Sequence, residues 1–431
     1  LTSYGDTTGA HQGIVRGMVA VGTFALLGKL AGAFKEMAVA WRFGVGATVD
    51  AYLFVQNLLN WPVTVWFSVL TVILIPLAGR LAAEQPGELR RFRAELLAVT
   101  LALGVALAVL GLIALPPLLR SEWVGLPPTT RDLALALVPV LTWLVLPGLL
   151  VGLYSTWLMA GGGHLNTLFE GIPALCILAA VLLAGGIEAL AWGTLAGSLT
   201  QLAAVGLAAH SRESHGFPAF NLTARSWAPF WQGFGVMMVG QAIMSVTMLV
   251  EQFFAARLGE GAISQLGYAN RILALVLGVL ATAATRATLP VFANLRAGGG
   301  VNLRRFALQW AGWMALGAAA VVAVGWVLAP WGVQVLFERG TFTSTDTGNV
   351  AQLLRYGLLQ TPFYLASLVL VSLHSSEGRY GLLLVSGVLG LAMKVGASYA
   401  LLPAFGIGAL VLSSTVVYLA NVLLLLAARP A

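Results

Sequence analysis

Apolar residues run in long unbroken stretches along this chain, separated by short polar breaks. The stretches fall near 14–34, 49–79, 96–119, 133–160, 165–185 and 187–209, then near 228–256, 264–290, 306–329, 348–374, 380–402 and 407–428. Each is close to or above the ~20 residues that carry a helix across a ~30 Å hydrocarbon core. They are continuous rather than alternating over about ten residues, unlike the strands of a membrane barrel. The pattern predicts an all-α polytopic membrane protein of about twelve transmembrane helices. Residues 1–13 read as a polar tail, without the basic segment and cleavage site of a secretory signal. The longest polar loop, near 210–227, is too small to house a catalytic domain.

The chain repeats itself. "AWRFGVGA" at 40–47 returns as "AARLGEGA" at 255–262, an offset of 257 − 42 = 215 residues. The same offset links Gly163-His164 to Gly378-Arg379 and "WGTLAGS" (192–198) to "IGALVLS" (407–413). Two six-helix lobes are therefore expected, 14–210 and 228–431, joined by a cytoplasmic linker at 211–227. An even number of helices gives both lobes the same orientation, related by a pseudo-two-fold axis along the membrane normal. That is the parallel-repeat plan of some secondary transporters, with alternating access around a site at the repeat interface.

Composition agrees with a bilayer protein: 59% of the 431 residues are hydrophobic and only 9% charged, against about 25% charged in soluble domains. The net charge of +7 fits basic cytoplasmic loops and anionic membrane lipids rather than nucleic acid. With the N-terminus inside, the cytoplasmic loops hold Arg16, Arg80, Arg90, Arg91, Arg93, Arg212, Arg225, Arg296, Arg304, Arg305, Arg379 and Arg429. The outer loops hold only Lys35, Arg42, Arg120, Arg131, Arg257 and Arg339. The excess of positive residues puts both termini in the cytoplasm. Trp61, Trp66, Trp123, Trp192, Trp227, Trp231, Trp326 and Trp331 lie mostly near span ends, as an aromatic belt does. Cys176 is a lone thiol in an apolar run, read as a small hydrophobe.

Ionisable residues inside spans are the candidate chemistry, because each costs about 2.5–3.5 kcal/mol at the bilayer centre. They are Lys29, Arg271, Arg286, Arg355 and Lys394, with Lys35 at a span end, against the acids Asp50, Glu251 and Glu170. Lys29 and Lys35 are six residues, about 600°, apart on a helix, so they flank one wide face. Glu36 is a ready partner for Lys35. Lys29 has only Ala25, Leu26, Gly32 and Ala33 at i±3 and i±4, which predicts a cavity wall with a ligand as counter-charge. By the offset, Arg271 corresponds to Gln56, and Asn270 adjoins it. An excess of interior cations implies an anion: a diphosphate, a carboxylate or an anionic lipid. Glu251 and Lys394 read either as a buried structural ion pair or as a coupling site. The five histidines are scattered with no metal-ligand spacing, and no phosphate-binding loop or nucleophile elbow appears, so neither an enzyme nor a metal or cofactor is expected.

Several stretches together resemble the MviN/MurJ family, the lipid II flippases of the multidrug/oligosaccharidyl-lipid/polysaccharide exporter superfamily. They are "LLGKLAGAFKEMAVAWRFGVGATVDAYL" (26–53), "LIP" (74–76), "GYANRILALVLGVL" (267–280), "TLP" (288–290) and "LFERGTFTSTDT" (336–347). The resemblance implies transfer of an undecaprenyl-diphosphate-linked saccharide across the bacterial cytoplasmic membrane by alternating access, with membrane lipids as the other partners and a monomeric chain. It implies a diphosphate set of Lys29, Lys35 and Arg271, with Glu36, Asp50, Gln56, Asn270 and Arg355 as cavity or support. The implied energy coupling is to membrane potential, proton or sodium; Glu251 matches an acid of the sodium site of some members. The chain departs from the family pattern in four ways. Lysines replace two first-span arginines, a second-span basic residue falls near Val63, Lys394 occupies part of the sodium-site region, and twelve spans replace the usual fourteen. A flippase for lipid-linked exopolysaccharide or O-antigen units is the alternative, followed by a drug antiporter of the same superfamily and a non-transporting scaffold.

Overall fold

The computed structural model describes the backbone of residues 7–163, 165–212, 217–298 and 303–428; within these, the side chains of 7–22, 212, 236, 244, 283, 285–298, 303 and 380 lie outside the described residues. Arg16, Arg286, Arg296 and Arg429 are among those not described. In order the helices are α1 (Thr7–Phe43), α2 (Ala47–Glu84), α3 (Pro86–Arg120), α4 (Pro128–Leu141), α5 (Val145–Ala160), α6 (Leu165–Phe169), α7 (Ile172–Leu183) and α8 (Ile187–Arg212). The second half follows with α9 (Trp227–Ala256), α10 (Ala262–Gly298), α11 (Leu303–Phe337), α12 (Ser344–Leu358), α13 (Thr361–Ser376), α14 (Tyr380–Phe405) and α15 (Gly408–Ala427). Eleven stretches among the described residues are long and apolar enough to cross a membrane, and α1 is a further helix of 37 residues. α1 starts at Thr7, so the expected tail at 1–13 is partly helical.

The repeat is visible in the elements. α2 starts at Ala47 and α10 at Ala262, the offset of 215 again. The fourth span of each half is broken in the middle, by a 3₁₀ turn at Thr142–Leu144 and by residues 359–360 (359 − 215 = 144). By compactness the chain divides into one unit of Leu1–Arg42, Phe54–Trp123 and Arg131–Gln241, and another of Phe43–Leu53, Val124–Thr130 and Ala242–Ala431.

The outer faces of both units carry bare apolar side chains, among them Ile113, Leu183 and Val327, which suits lipid rather than water. Small residues bring helices close, as membrane packing requires: a Cβ on Gly193 of α8 would lie 2.7 Å from Ala180 on α7, and one on Gly197 2.6 Å from Pro173. Trp66 and Trp227 are buried rather than in the aromatic belt expected for them. Trp227 packs edge-on against Phe92, ring centroids 5.1 Å apart.

In the first unit, the segment after α8 is strapped onto α3. Glu95, fully buried, accepts from the amides of Thr223 and Ala224 (both 3.0 Å) and from the Trp227 indole at 2.7 Å. Glu88 accepts from the Ser226 amide at 3.1 Å, and Arg91 pairs with Glu95 at 3.2 Å. One carboxylate thus satisfies donors that would otherwise be stranded, each worth about 1–3 kcal/mol when left unmade. Glu95→Ala is expected to lower stability by at least that amount and to open residues 217–226 to limited proteolysis, read by the cleavage rate against the parent chain.

The most family-like motifs converge in the second unit. Tyr268 of "GYAN" donates to the Gly44 carbonyl at 3.0 Å and packs tilted against Phe337 and edge-on against Phe342 of "LFERGTF", ring centroids 4.9 and 5.4 Å away. Gly44 has φ +60° and lies so close to Thr341 that a Cβ would approach its carbonyl oxygen to 2.7 Å, so only glycine serves there. Thr343 and Asp346 close α12 with a capping box. These motifs therefore build a junction of loops and helix ends.

Candidate functional site

A polar cavity of about 360 Å³ lies within the first unit. Its polar lining comes from three helices and one turn: Lys35 of α1, Gln56 and Asn60 of α2, Thr194, Ser198 and Gln201 of α8, and Glu170 between α6 and α7. Helical geometry gathers them. Gln56, Leu59, Asn60 and Val63 follow i, i+3, i+4, i+7, and Thr194, Ser198 and Gln201 follow i, i+4, i+7, each set on one face of its helix. The Lys35 ammonium contacts the Glu36 carboxylate, and their side chains are only 15% and 11% exposed. The two form an ion pair in a low-dielectric wall, where the ammonium acts on an anion more strongly than in water but against the opposing charge of Glu36.

The expected residues divide between the units. Lys35, Glu36 and Gln56 come together in or beside this cavity. Lys29 does not line it: the residue is exposed, beside the exposed Leu26 and Leu30. Lys29 lies on an exposed face of α1, and Lys35 is the basic residue in the lining of this cavity. Val63 forms part of the apolar wall and abuts Gly148 of α5.

In the second unit, Lys394 is 1% exposed and held by three oxygens: the Glu251 carboxylate, the Leu410 carbonyl at 2.7 Å and the Ser414 hydroxyl at 2.8 Å. Asn270 donates to the other Glu251 oxygen at 3.4 Å. The ion-pair reading of Glu251 and Lys394 fits this geometry, with Asn270 as its support. Arg271 is half-buried, its guanidinium 5.9 Å from the Tyr268 ring centre. Arg355 donates to the Trp326 carbonyl at 2.8 Å and lies 5.9 Å from its ring centre, so it braces α12 against α11.

Asp50 turns out to be a helix cap. It is buried, and its two oxygens accept from the amides of Gly261 (2.6 Å) and Ser264 (2.7 Å) at the start of α10. The Gly46 amide donates back to the Ser264 hydroxyl at 3.3 Å. The two copies of the repeated loop, with Gly46 and Gly261 at equivalent positions, thereby clasp each other. A carboxylate facing orphan amides and the positive end of a helix is stabilising, and with both oxygens used it is not a cavity residue. Asp50→Ala is expected to cost about 1–2 kcal/mol, with Asp50→Asn intermediate, as thermal unfolding of the purified protein would show.

The sequence pattern also held polar residues that the interior charges overshadowed. Thr194, Ser198 and Gln201 stand out as the polar face of an otherwise apolar helix in "TLAGSLTQ" (194–201). Spacing alone would have found them.

Solved structures define the class. The chain superposes on "Lipid II flippase MurJ, inward closed conformation" with TM-score 0.82 and 18% identity, covering 95% of this chain and 87% of that one. It superposes on an inward-facing multidrug resistance MATE family transporter of the MOP superfamily with TM-score 0.74 and 17% identity, covering 93% of each. The fold is the one these two solved structures share. Within it, the chain belongs to the family described as lipid II flippase MurJ, whose sequence model matches residues 39–429. Among named relatives, a probable lipid II flippase MurJ of Rhizobium meliloti is 25% identical over 96% of this chain and 80% of its own length. One of Bdellovibrio bacteriovorus is 29% identical over 56% of this chain; that match spans 46% of the relative, under half its length. Members of this family are proteins of the bacterial inner membrane.

Proposed function

We propose that this chain moves an undecaprenyl-diphosphate-linked saccharide, a lipid II-like wall precursor, from the inner to the outer leaflet of the cytoplasmic membrane. Family membership supports the reaction class, and the observation that carries the ligand is Lys35: a mostly buried ammonium in the wall of a polar cavity inside an apolar helix unit. A diphosphate supplies the charge that such a site attracts. Lys29, exposed on the same helix, supplies a second cation along α1. The chain works as a monomer with both termini in the cytoplasm, a reading supported by the excess of basic residues in the loops on that side.

Energy coupling is to the membrane potential rather than to sodium. The Lys394 ammonium sits among a carboxylate, a carbonyl and a hydroxyl, the oxygen set a small cation takes, and so occupies the place of that cation. The test of the function is depletion of the native lipid II flippase in a bacterial host that expresses this chain. Continued growth and wall synthesis are expected, with no dependence on sodium. Lysis despite normal membrane insertion would contradict the reading.

A further inference from the structure

We propose that the cavity of the first unit is a saccharide subsite, in which Gln56, Glu170, Ser198 and Gln201 hold a sugar ring next to the anion anchored at Lys35. This rests on the diphosphate reading above and adds to it the part of the ligand that the cavity recognises.

The first support is unspent hydrogen-bonding capacity. Elsewhere in these helices hydroxyls bond back to their own helix: Thr71 to Phe67 (2.8 Å), Thr100 to Leu96 (2.7 Å), Thr142 to Val138 (2.6 Å) and Thr156 to Gly152 (2.8 Å). Among the described residues, the side chains of Gln56, Glu170, Ser198 and Gln201 make no such bond, yet all four line one cavity. Gln56, Ser198 and Gln201 are half-buried and Glu170 is exposed. Half-buried polar groups in a membrane-embedded unit carry a desolvation cost unless something pairs with them, so these three together point to a polar occupant.

The second support is the chemistry of the lining. A side-chain amide offers a donor and an acceptor side by side, a carboxylate two acceptors, and a serine one of each. Neighbouring hydroxyls on a sugar ring present the matching alternation. Leu59, Val63 and Ile177 supply an apolar wall for the C–H face of such a ring. Charge orders the two ends: Lys35 attracts an anion, whereas Glu170 repels one and accepts from neutral hydroxyls. An occupant that is anionic at one end and hydroxyl-rich at the other satisfies both. At about 360 Å³ the cavity is at the small end of ligand pockets, so it takes one part of a lipid-linked glycan rather than the whole.

The test compares two probes on the full chain in lipid nanodiscs: farnesyl diphosphate, and the same lipid carrying one N-acetylhexosamine on its diphosphate. The parent chain should bind the glycosylated probe about tenfold tighter, which corresponds to ~1.4 kcal/mol. Gln201→Leu, and separately Ser198→Ala, should shrink that advantage while leaving the dissociation constant of bare farnesyl diphosphate unchanged. Two variants guard against one of them misfolding. Equal affinity of the parent for both probes overturns the subsite and leaves the diphosphate reading standing. Binding of the glycosylated probe alone, lost in Gln201→Leu, upholds the subsite and overturns the diphosphate anchor. Binding of neither probe overturns both.

Discussion

Lys394→Met destabilises the protein by about 3–5 kcal/mol, the cost of removing one partner from a buried ion pair. The argument is local. Lys394 is 1% exposed and all three of its oxygen partners lie in the same unit. Methionine keeps the length and the apolar stem, so the loss is electrostatic. Glu251, with 18% of its side chain exposed, is left without the ammonium beside it, and the Asn270 amide at 3.4 Å does not replace a full charge. Glu251→Gln combined with Lys394→Met removes both charges and should recover much of the loss, because burying a matched neutral set is far less costly than burying half a pair. Thermal unfolding of the four proteins of this double-mutant cycle measures the coupling directly. A coupling below about 0.5 kcal/mol, the scale at which distant sites simply add, would mean that the pair is not the anchor described.

Lys35→Ala abolishes transport, and Lys35→Ala combined with Glu36→Gln, which leaves no buried carboxylate without its partner, does so with folded protein retained in the membrane. The ammonium is the cation that lines the first unit's cavity, and alanine removes the charge without adding bulk to a packed wall. Lys35→Arg keeps the charge and adds the bidentate fork, so it retains activity. Lys29→Ala is expected to have the smaller effect of the two, since Lys29 is exposed and outside the cavity lining. The readout is wall-precursor transfer in cells depleted of their own flippase, with membrane levels of each variant measured alongside. Equal loss in Lys29→Ala and Lys35→Ala would show that the open face of α1 matters as much as the cavity.

The helices were legible because a bilayer demands long apolar runs, and those runs are hard to mistake. Their ends were less so. α2 continues to Glu84, α10 to Gly298 and α11 to Phe337, each several residues past its apolar run. Apolar length reports the thickness of hydrocarbon, while the backbone stays helical into the headgroup layer. The Glu251–Lys394 pair was legible because interior acids are scarce and each needs a counter-charge. The capping role of Asp50 was not legible because its partners, Gly261 and Ser264, lie more than 200 residues away, and a cap formed across the chain leaves no local trace. The offset of 215 was the one hint, since it makes Gly46 and Gly261 equivalent. Lys29 and Lys35 could not be ranked from spacing, because a helical wheel gives an angle between two residues and not which face meets a cavity. The cavity itself was half legible: its α8 face follows i, i+4, i+7, but nothing along the chain says that this face meets Gln56 and Lys35.

The central claim is that this chain carries a lipid-linked diphosphate across a bilayer with Lys35 as its anchor, and purified protein in liposomes tests it most directly. Liposomes holding a fluorescent polyprenyl-diphosphate-linked disaccharide in one leaflet are scored for its appearance in the other. The account predicts transfer with the parent chain, retained transfer with Lys35→Arg, and transfer at the protein-free rate with Lys35→Ala. Parent-chain transfer no faster than that of empty liposomes, or full transfer by Lys35→Ala, would contradict it.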